Sequence, residues 1–180
     1  MHITKLTIVL CFAAQVLAAQ VDIFELARRG SLEDFKLAVN NNPELINVQD
    51  QRGSTPLVLA CYYNNESVVN FLVDKVNDID GATKDGSPLM AAAVKGHNSI
   101  AKILLAAGAD PNFEDANQTT ALHYAVMFKN YDLTVILLES GADPKHKNNV
   151  NQSPFDLAVV QNDKRLNIIF NINPLLMKKI

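Results

Sequence analysis

A three-residue pattern recurs at a nearly constant interval along this chain and constrains its fold more than any other feature. The pattern is Thr or Ser, then Pro or Ala, then a large apolar residue. It occurs four times, at intervals of 32, 33 and 33 residues: Thr55-Pro56-Leu57, Ser87-Pro88-Leu89, Thr120-Ala121-Leu122 and Ser153-Pro154-Phe155. A period of this length indicates equal structural units that stack on one another and share a continuous core.

Each unit predicts a pair of helices. The Thr or Ser hydroxyl can accept an unpaired backbone N–H at a helix start, and Pro is tolerated in the first turn because no hydrogen bond is needed there. Runs such as Ile103-Leu104-Leu105 predict the buried side of a second helix, and Gly108 and Gly141 favour its end. The predicted seam of the first helices consists of Leu57, Leu59, Ala60, Leu89, Ala91, Ala92, Leu122, Tyr124 and Ala125.

These residues closely resemble the ankyrin-repeat family. The landmarks of the resemblance are the recurring Thr-Pro-Leu, with His123 as its fourth letter, together with Gly96-His97, Gly108-Ala109-Asp110-Pro111-Asn112 and Gly141-Ala142-Asp143-Pro144. The resemblance covers about residues 21 to 170. It implies an all-α solenoid of stacked helix-turn-helix units, with finger-like β-turn loops between the units.

The repeat divides the chain into six segments. Residues 1–19 are predicted to form a signal peptide, 20–48 an N-terminal capping repeat, and 49–81, 82–114 and 115–147 three full repeats. Residues 148–180 are predicted to form a C-terminal capping repeat and a tail, with Lys164 and Arg165 facing water. In the first unit Leu32, Phe35, Leu37 and Val39 are expected to supply the apolar face.

Two departures from the repeat predict local irregularity. Val76-Asn77-Asp78 stands where Gly-Ala is usual, and the finger that follows is one residue short. Gln118 replaces the finger glycine and Ala121 replaces proline, so we expect a looser turn there without a change of fold.

The first nineteen residues predict export. Lys5 is followed by an apolar run from Leu6 to Leu17 and by the small residues Ala18 and Ala19, which is the order of a secretory signal peptide. A run of about 12 residues is short for a membrane span, which needs roughly 20. The mature chain is therefore expected to begin at Ala19 or Gln20, in the periplasm or outside the cell, with no stable membrane insertion.

The net charge argues against a nucleic-acid partner, and the cysteine count argues against a disulfide. The chain carries 16 basic and 19 acidic residues. Loss of Lys5 with the signal leaves 15 basic residues, a net charge near −4, and such a chain repels nucleic acid in general. Only Cys61 remains after cleavage, so no intramolecular disulfide is expected. We expect a monomer.

The sequence offers little catalytic chemistry. His97 and His123 occupy structural positions of the repeat, and His146 lies between two lysines, where we expect a solvated loop residue. Cys61 is expected to be a buried core thiol. No His/Cys spacing suits zinc, and no phosphate loop or nucleophile elbow is present. We therefore expect no enzyme activity, no metal and no cofactor.

The family resemblance implies that a partner binds the concave face, which is built from the fingers and the outward positions of the first helices. The repeat register places Tyr62, Tyr63, Val94, Lys95, Met127, Phe128, Val160 and Gln161 at those positions. The predicted polar rim consists of Gln51, Arg52, Lys84, Asp85, Ala116, Asn117, Asn149 and Val150. Aromatic side chains dominate binding hot spots, so these residues predict a binding surface. The alternative is that they pack between the helices and complete the core.

The leading hypothesis is a scaffold that binds a protein partner. Small periplasmic ankyrin proteins associated with catalase suggest an alternative, an accessory protein of a haem enzyme with His123 or His146 near the haem. A secreted effector and a degenerate hydrolase that uses Cys61 are further alternatives. Leu175-Leu176-Met177 either folds back onto the last repeat or contacts another molecule.

Overall fold

The computed structural model describes residues 22–81, 83 and 86–171. The predicted signal peptide, Lys84, Asp85 and Leu175-Leu176-Met177 lie outside the described residues. The described α-helices are α1 (Ile23–Arg29), α2 (Leu32–Asn41), α3 (Pro56–Tyr62), α4 (Glu66–Leu72), α5 (Pro88–Lys95), α6 (Asn98–Ala106), α7 (Ala121–Met127), α8 (Tyr131–Glu139), α9 (Pro154–Gln161) and α10 (Lys164–Ile169). A 3₁₀ turn spans Pro43–Ile46, and an isolated antiparallel bridge joins Thr83 to Gly86. The predicted all-α solenoid is confirmed.

The helix starts follow the predicted capping chemistry. Thr55 Oγ1 accepts the backbone N–H of Val58 at 3.3 Å, and Ser87 Oγ accepts that of Met90 at 3.4 Å. The first unit has no Thr-Pro, and there Asp22 Oδ1 accepts the backbone N–H of Phe24 at 3.0 Å. These side chains satisfy N–H groups that have no partner within the helix.

Glycine ends the second helices of the two regular units. Gly108 and Gly141 have φ values of +94° and +91° and directly follow the C-cap residues of α6 and α8. Glycine adopts such positive φ values without a steric clash. The unit with Val76-Asn77-Asp78 has a shorter second helix, since α4 has 7 residues and α6 and α8 each have 9. The second helix of this unit therefore ends earlier than in the two regular units. Part of the turn that is expected to be irregular, residues 82, 84 and 85, lies outside the described residues.

The helices pack in two rows. The first helices α1, α3, α5, α7 and α9 stack in sequence, and each second helix contacts the next second helix along the stack. Ala60, Ala92 and Ala125 are fully buried, which allows neighbouring first helices to approach closely. The second helices contribute large core residues, among them Phe35, Leu72, Leu104 and Leu137, none of which is exposed.

Finger turns repeat one hydrogen-bonding pattern. Asp50 Oδ1 accepts the backbone N–H of the residues two and four positions later, Arg52 and Ser54, at 2.9 and 2.8 Å. Asp115 makes the same pair of bonds in the finger that contains Gln118, at 2.7 and 2.9 Å. Gln118 takes the left-handed conformation of the missing glycine, with φ +56°. The turn is thus closed as in its neighbour and carries backbone strain, and the expected loosening is not seen.

One expectation about the apolar faces was wrong. Leu37 is 62% exposed, because in α2 it lies two residues from the buried Phe35 and therefore on another side of the helix. Tyr124 is half-buried and packs against the core, as expected for the seam of the first helices. Its hydroxyl also donates to Asp115 Oδ2 at 2.9 Å, so the side chain anchors a finger as well.

The last unit exposes both basic and apolar side chains to water. Lys164 and Arg165 are exposed, as expected for a capping repeat. Ile168 on the same helix is 75% exposed, so the end of the solenoid is less polar than the two basic residues suggested.

Candidate partner-binding surface

Six apolar residues of the first helices and of the turns that follow them form an exposed set, which we call the stripe: Tyr62, Tyr63, Val94, Met127, Phe128 and Val160. Their exposed fractions range from 36% for Val94 to 77% for Val160. Of the two interpretations that the sequence left open, the structure supports the exposed one, since none of the six side chains is part of the buried core.

Helix geometry explains why these positions face outward. In α3 the side chains of Leu57, Ala60 and Cys61 are buried against the neighbouring helices. Tyr62 is the last residue of the helix, and Tyr63 follows it as the C-cap. Because the same register recurs every 32 or 33 residues, α3, α5, α7 and α9 each present their last apolar residues on the same side of the solenoid.

The two tyrosines of the stripe are held by their neighbours. The Tyr62 and Tyr63 rings meet edge to face, with centroids 5.2 Å apart and an interplanar angle of 62°. Lys95 Nζ lies 4.8 Å from the centroid of the Tyr62 ring, within the range of a cation–π interaction. The aromatic surface is therefore partly ordered before any partner binds.

A groove of about 880 Å³ lies between the fingers and the first helices of the first three units. Five residues predicted for the surface or its rim line it together: Gln51, Arg52, Tyr62, Tyr63 and Val94. The predicted Met127, Phe128 and Asn117 are exposed but lie farther along the stack and do not line this groove. The stripe thus extends beyond this cavity. From here on, "the groove" means the cavity alone.

The groove also contains residues that sequence reasoning did not select. Phe24 and Arg28 come from α1, and Asp50 comes from the first finger. Arg28 stands two residues before Gly30, as Val94 stands two residues before Gly96. Carrying the repeat register into the first unit would therefore have identified Arg28.

Asp50 connects the finger to α1. Its Oδ1 closes the finger turn, and its Oδ2 lies 3.6 Å from Arg28 Nη2. Arg28 Nη1 lies 3.5 Å from Glu25 Oε2. Both Asp50 oxygens are thus engaged inside the protein, and the wall of the groove is fixed relative to α1.

His97 and His123 bond to neighbouring units, as expected. His123 Nδ1 accepts the backbone N–H of Thr120 at 3.1 Å, which leaves Nε2 to donate to the carbonyl of Gln152 at 3.1 Å. His97 Nε2 lies 3.3 Å from the carbonyl oxygen of Tyr62. Burial is the main cause that lowers the pKa of His123. With both ring nitrogens bonded, His123 offers none to a haem iron.

His146 differs from the expected solvated loop residue. Its side chain is only 21% exposed, and Nε2 lies 3.2 Å from the carbonyl oxygen of Gln118 and 3.3 Å from Glu114 Oε1. Its ring meets that of His123 edge to face, with centroids 6.0 Å apart. Successive fingers approach closely enough to shield it, so His146 joins two units instead of standing free in solvent.

The remaining candidates for chemistry are structural in this fold. Cys61 is fully buried, and burial raises the pKa of its thiol, which disfavours the nucleophilic thiolate. Within residues 22–81, 83 and 86–171, no group of three or more His, Cys, Asp or Glu side chains could hold a metal ion. Among the described helices, none has the length and apolar character needed to cross a bilayer.

Comparisons with known proteins agree with this architecture. A family model of ankyrin repeats in three copies matches residues 23–115 and again residues 82–148. Neurogenic locus notch homolog protein 1 of Danio rerio is 35% identical over 113 residues, 62% of this chain and 5% of that protein. A putative ankyrin repeat protein of Acanthamoeba polyphaga mimivirus is 32% identical over 135 residues, 72% of this chain and 18% of that protein. A putative ankyrin repeat-containing protein of Treponema pallidum (strain Nichols) is 34% identical over 121 residues, 66% of this chain and 41% of that protein. The chain spans less than half the length of each of these relatives.

Proposed function

Since the chain belongs to the ankyrin-repeat family, we propose that it is an exported, non-enzymatic scaffold that binds a protein partner through the stripe. Ankyrin repeats are generally protein–protein interaction modules. The finer parts of the proposal are the export, the binding face and a monomeric state in the periplasm or outside the cell.

The observation that carries the proposal is the exposure of the stripe. Large apolar side chains that lie together on the surface of a soluble protein mark interaction sites more often than isolated ones do. Tyr63 is 44% exposed and Phe128 is 55% exposed, at equivalent positions of two units that are separated by one repeat. Residues of this type supply most of the binding free energy in many protein interfaces.

A comparison of capture by stripe variants tests the binding face. The tagged native protein, the double variant Tyr63→Ala/Phe128→Ala and the control Ile168→Ala are expressed in the native cells. Proteins captured from the cell envelope are then quantified by mass spectrometry. Ile168 is a matched control because it is apolar and 75% exposed but lies on a second helix, α10.

We expect at least one captured protein to fall strongly in the double variant and to be unchanged in the control. Truncating a central aromatic anchor costs about 2 kcal/mol or more, which is about thirtyfold in affinity. Equal capture by all three proteins would mean that the stripe is not the binding surface.

The order of the first nineteen residues supports the export part. Fractionation of the native cells followed by N-terminal sequencing tests it. We expect the exported protein to begin at Ala19 or Gln20, and a protein that keeps Met1 would contradict export with cleavage.

A further inference from the structure

The charge on the groove is opposite in sign to that of the chain as a whole. The chain has 19 acidic and 16 basic residues. The described ionic residues that line the groove are the cations Arg28 and Arg52 and one acid, Asp50. Beside the groove, Lys95 lies over the ring of Tyr62 and Glu25 lies against Arg28, so the charges in and around the groove still sum to a positive value. Many of the exposed acidic residues are on the second helices instead, including Glu33, Asp34, Glu66, Asp132 and Glu139.

The acid of the groove is already neutralised inside the protein. Asp50 accepts two backbone N–H groups and lies 3.6 Å from a nitrogen of Arg28. Its charge is therefore compensated and contributes little negative potential to the groove.

The remaining cations of the groove stay available to a ligand. The Arg52 side chain is exposed and makes no ion pair within the described part of the chain. Lys95 is also exposed, and among the described residues its ammonium group lies over the face of Tyr62 without an ion pair. The groove is thus lined by the apolar residues Phe24, Tyr62, Tyr63 and Val94 and by the exposed cation Arg52. Lys95 does not line the groove, but its ammonium group lies beside it over the Tyr62 ring.

We infer that the groove binds an acidic peptide segment with an apolar or aromatic side chain, which inserts between Tyr63 and Val94 while flanking carboxylates pair with Arg52 and Lys95. This inference rests on the proposed function and names the chemistry of the partner. A guanidinium binds a carboxylate with two parallel hydrogen bonds, and a local positive potential accelerates the approach of an acidic partner. The acidic remainder of the protein repels a long nucleic acid, so a peptide segment fits this surface better.

Selection from a random peptide library displayed on phage tests the inference with the purified full protein as bait. We expect the enriched peptides to combine an excess of Asp and Glu with at least one large apolar residue. The strongest peptide is then synthesised with a fluorophore, and its affinity is measured by fluorescence anisotropy for the native protein and its variants.

Charge reversal gives the decisive comparison. Arg52→Glu/Lys95→Glu is expected to weaken binding by about tenfold or more in about 0.05 M NaCl, and the loss shrinks in about 0.5 M NaCl because salt screens exposed charges. The control Lys102→Glu reverses an exposed charge on α6, away from the groove, and leaves the affinity unchanged. Far-UV circular dichroism verifies that each variant is folded.

The outcomes separate this inference from the proposed function. Enriched peptides without an acidic excess, or equal binding by the charge-reversed variant, would overturn the inference. The interaction-module proposal would still stand if Tyr63→Ala weakened binding of those peptides. Tighter binding of a single-stranded DNA oligonucleotide than of the selected peptide would identify the groove as a nucleic-acid site and also overturn the inference. Failure to enrich any peptide would contradict it as well.

Discussion

Truncation of Leu104 and truncation of Phe128 are expected to affect unfolding very differently. Leu104 in α6 is fully buried, whereas Phe128 at the end of α7 is 55% exposed. Leu104→Ala removes a core side chain and leaves a cavity, which costs about 2–5 kcal/mol. A domain of this size loses roughly 2–4 °C of melting temperature per kcal/mol, so we expect a fall of about 4–20 °C.

Phe128→Ala is expected to lower the free energy of unfolding by less than Leu104→Ala does. Less than half of the Phe128 surface is shielded from water, and no closed cavity remains after truncation because solvent fills the space. The buried portion corresponds to at most about 1–2 kcal/mol, and compaction of the unfolded chain reduces this further. The melting temperature is therefore expected to fall by only a few degrees.

Thermal melts followed by far-UV circular dichroism compare the native protein with both variants, and urea titrations check that unfolding remains cooperative. If Phe128→Ala melts as low as Leu104→Ala, the Phe128 side chain belongs to the core. The assignment of the stripe as a surface would then be wrong.

Three further predictions follow from individual residues. The pKa of His123 is lowered in the folded state, so its stabilising contribution is complete above the unfolded value of about 6.5 and is lost as the pH falls through the folded value; His123→Gln is expected to flatten the dependence of melting temperature on pH between about 7.5 and 5, and an unchanged slope would argue against this origin. Gln118→Gly is expected to raise the free energy of unfolding by about 1 kcal/mol, because glycine adopts the positive φ of this position without steric strain; a urea titration that finds a loss of stability would show that the turn is not strained. Cys61 is expected to react with a thiol reagent only after unfolding, since it is fully buried; rapid labelling of the native protein would contradict its place in the core.

Local sequence was sufficient for the repeat itself. Thr55 and Ser87 were identified as helix caps because capping depends on residues only three positions apart in the chain. Gly108 and Gly141 were identified as helix ends because a positive φ favours glycine irrespective of distant contacts. The repeat register was also sufficient to predict which residues form the stripe, since they occupy equivalent positions in successive units.

Contacts between units could not be predicted from local sequence patterns. The place of His146 against Glu114 and Gln118 depends on how closely successive fingers approach, and no spacing in the chain encodes that distance. The groove, too, combines residues of three units. The repeat register could identify the outward position of Arg28, but only the packing of α1 on α3 brought Arg28 and Asp50 together. The period of 32 or 33 residues and the capping residues by themselves determined a stack of helix pairs, and the family landmarks identified these as ankyrin repeats. Only the packing of one unit on the next decided which apolar side chains were left at the surface, because burial is a property of neighbours that are far apart in sequence.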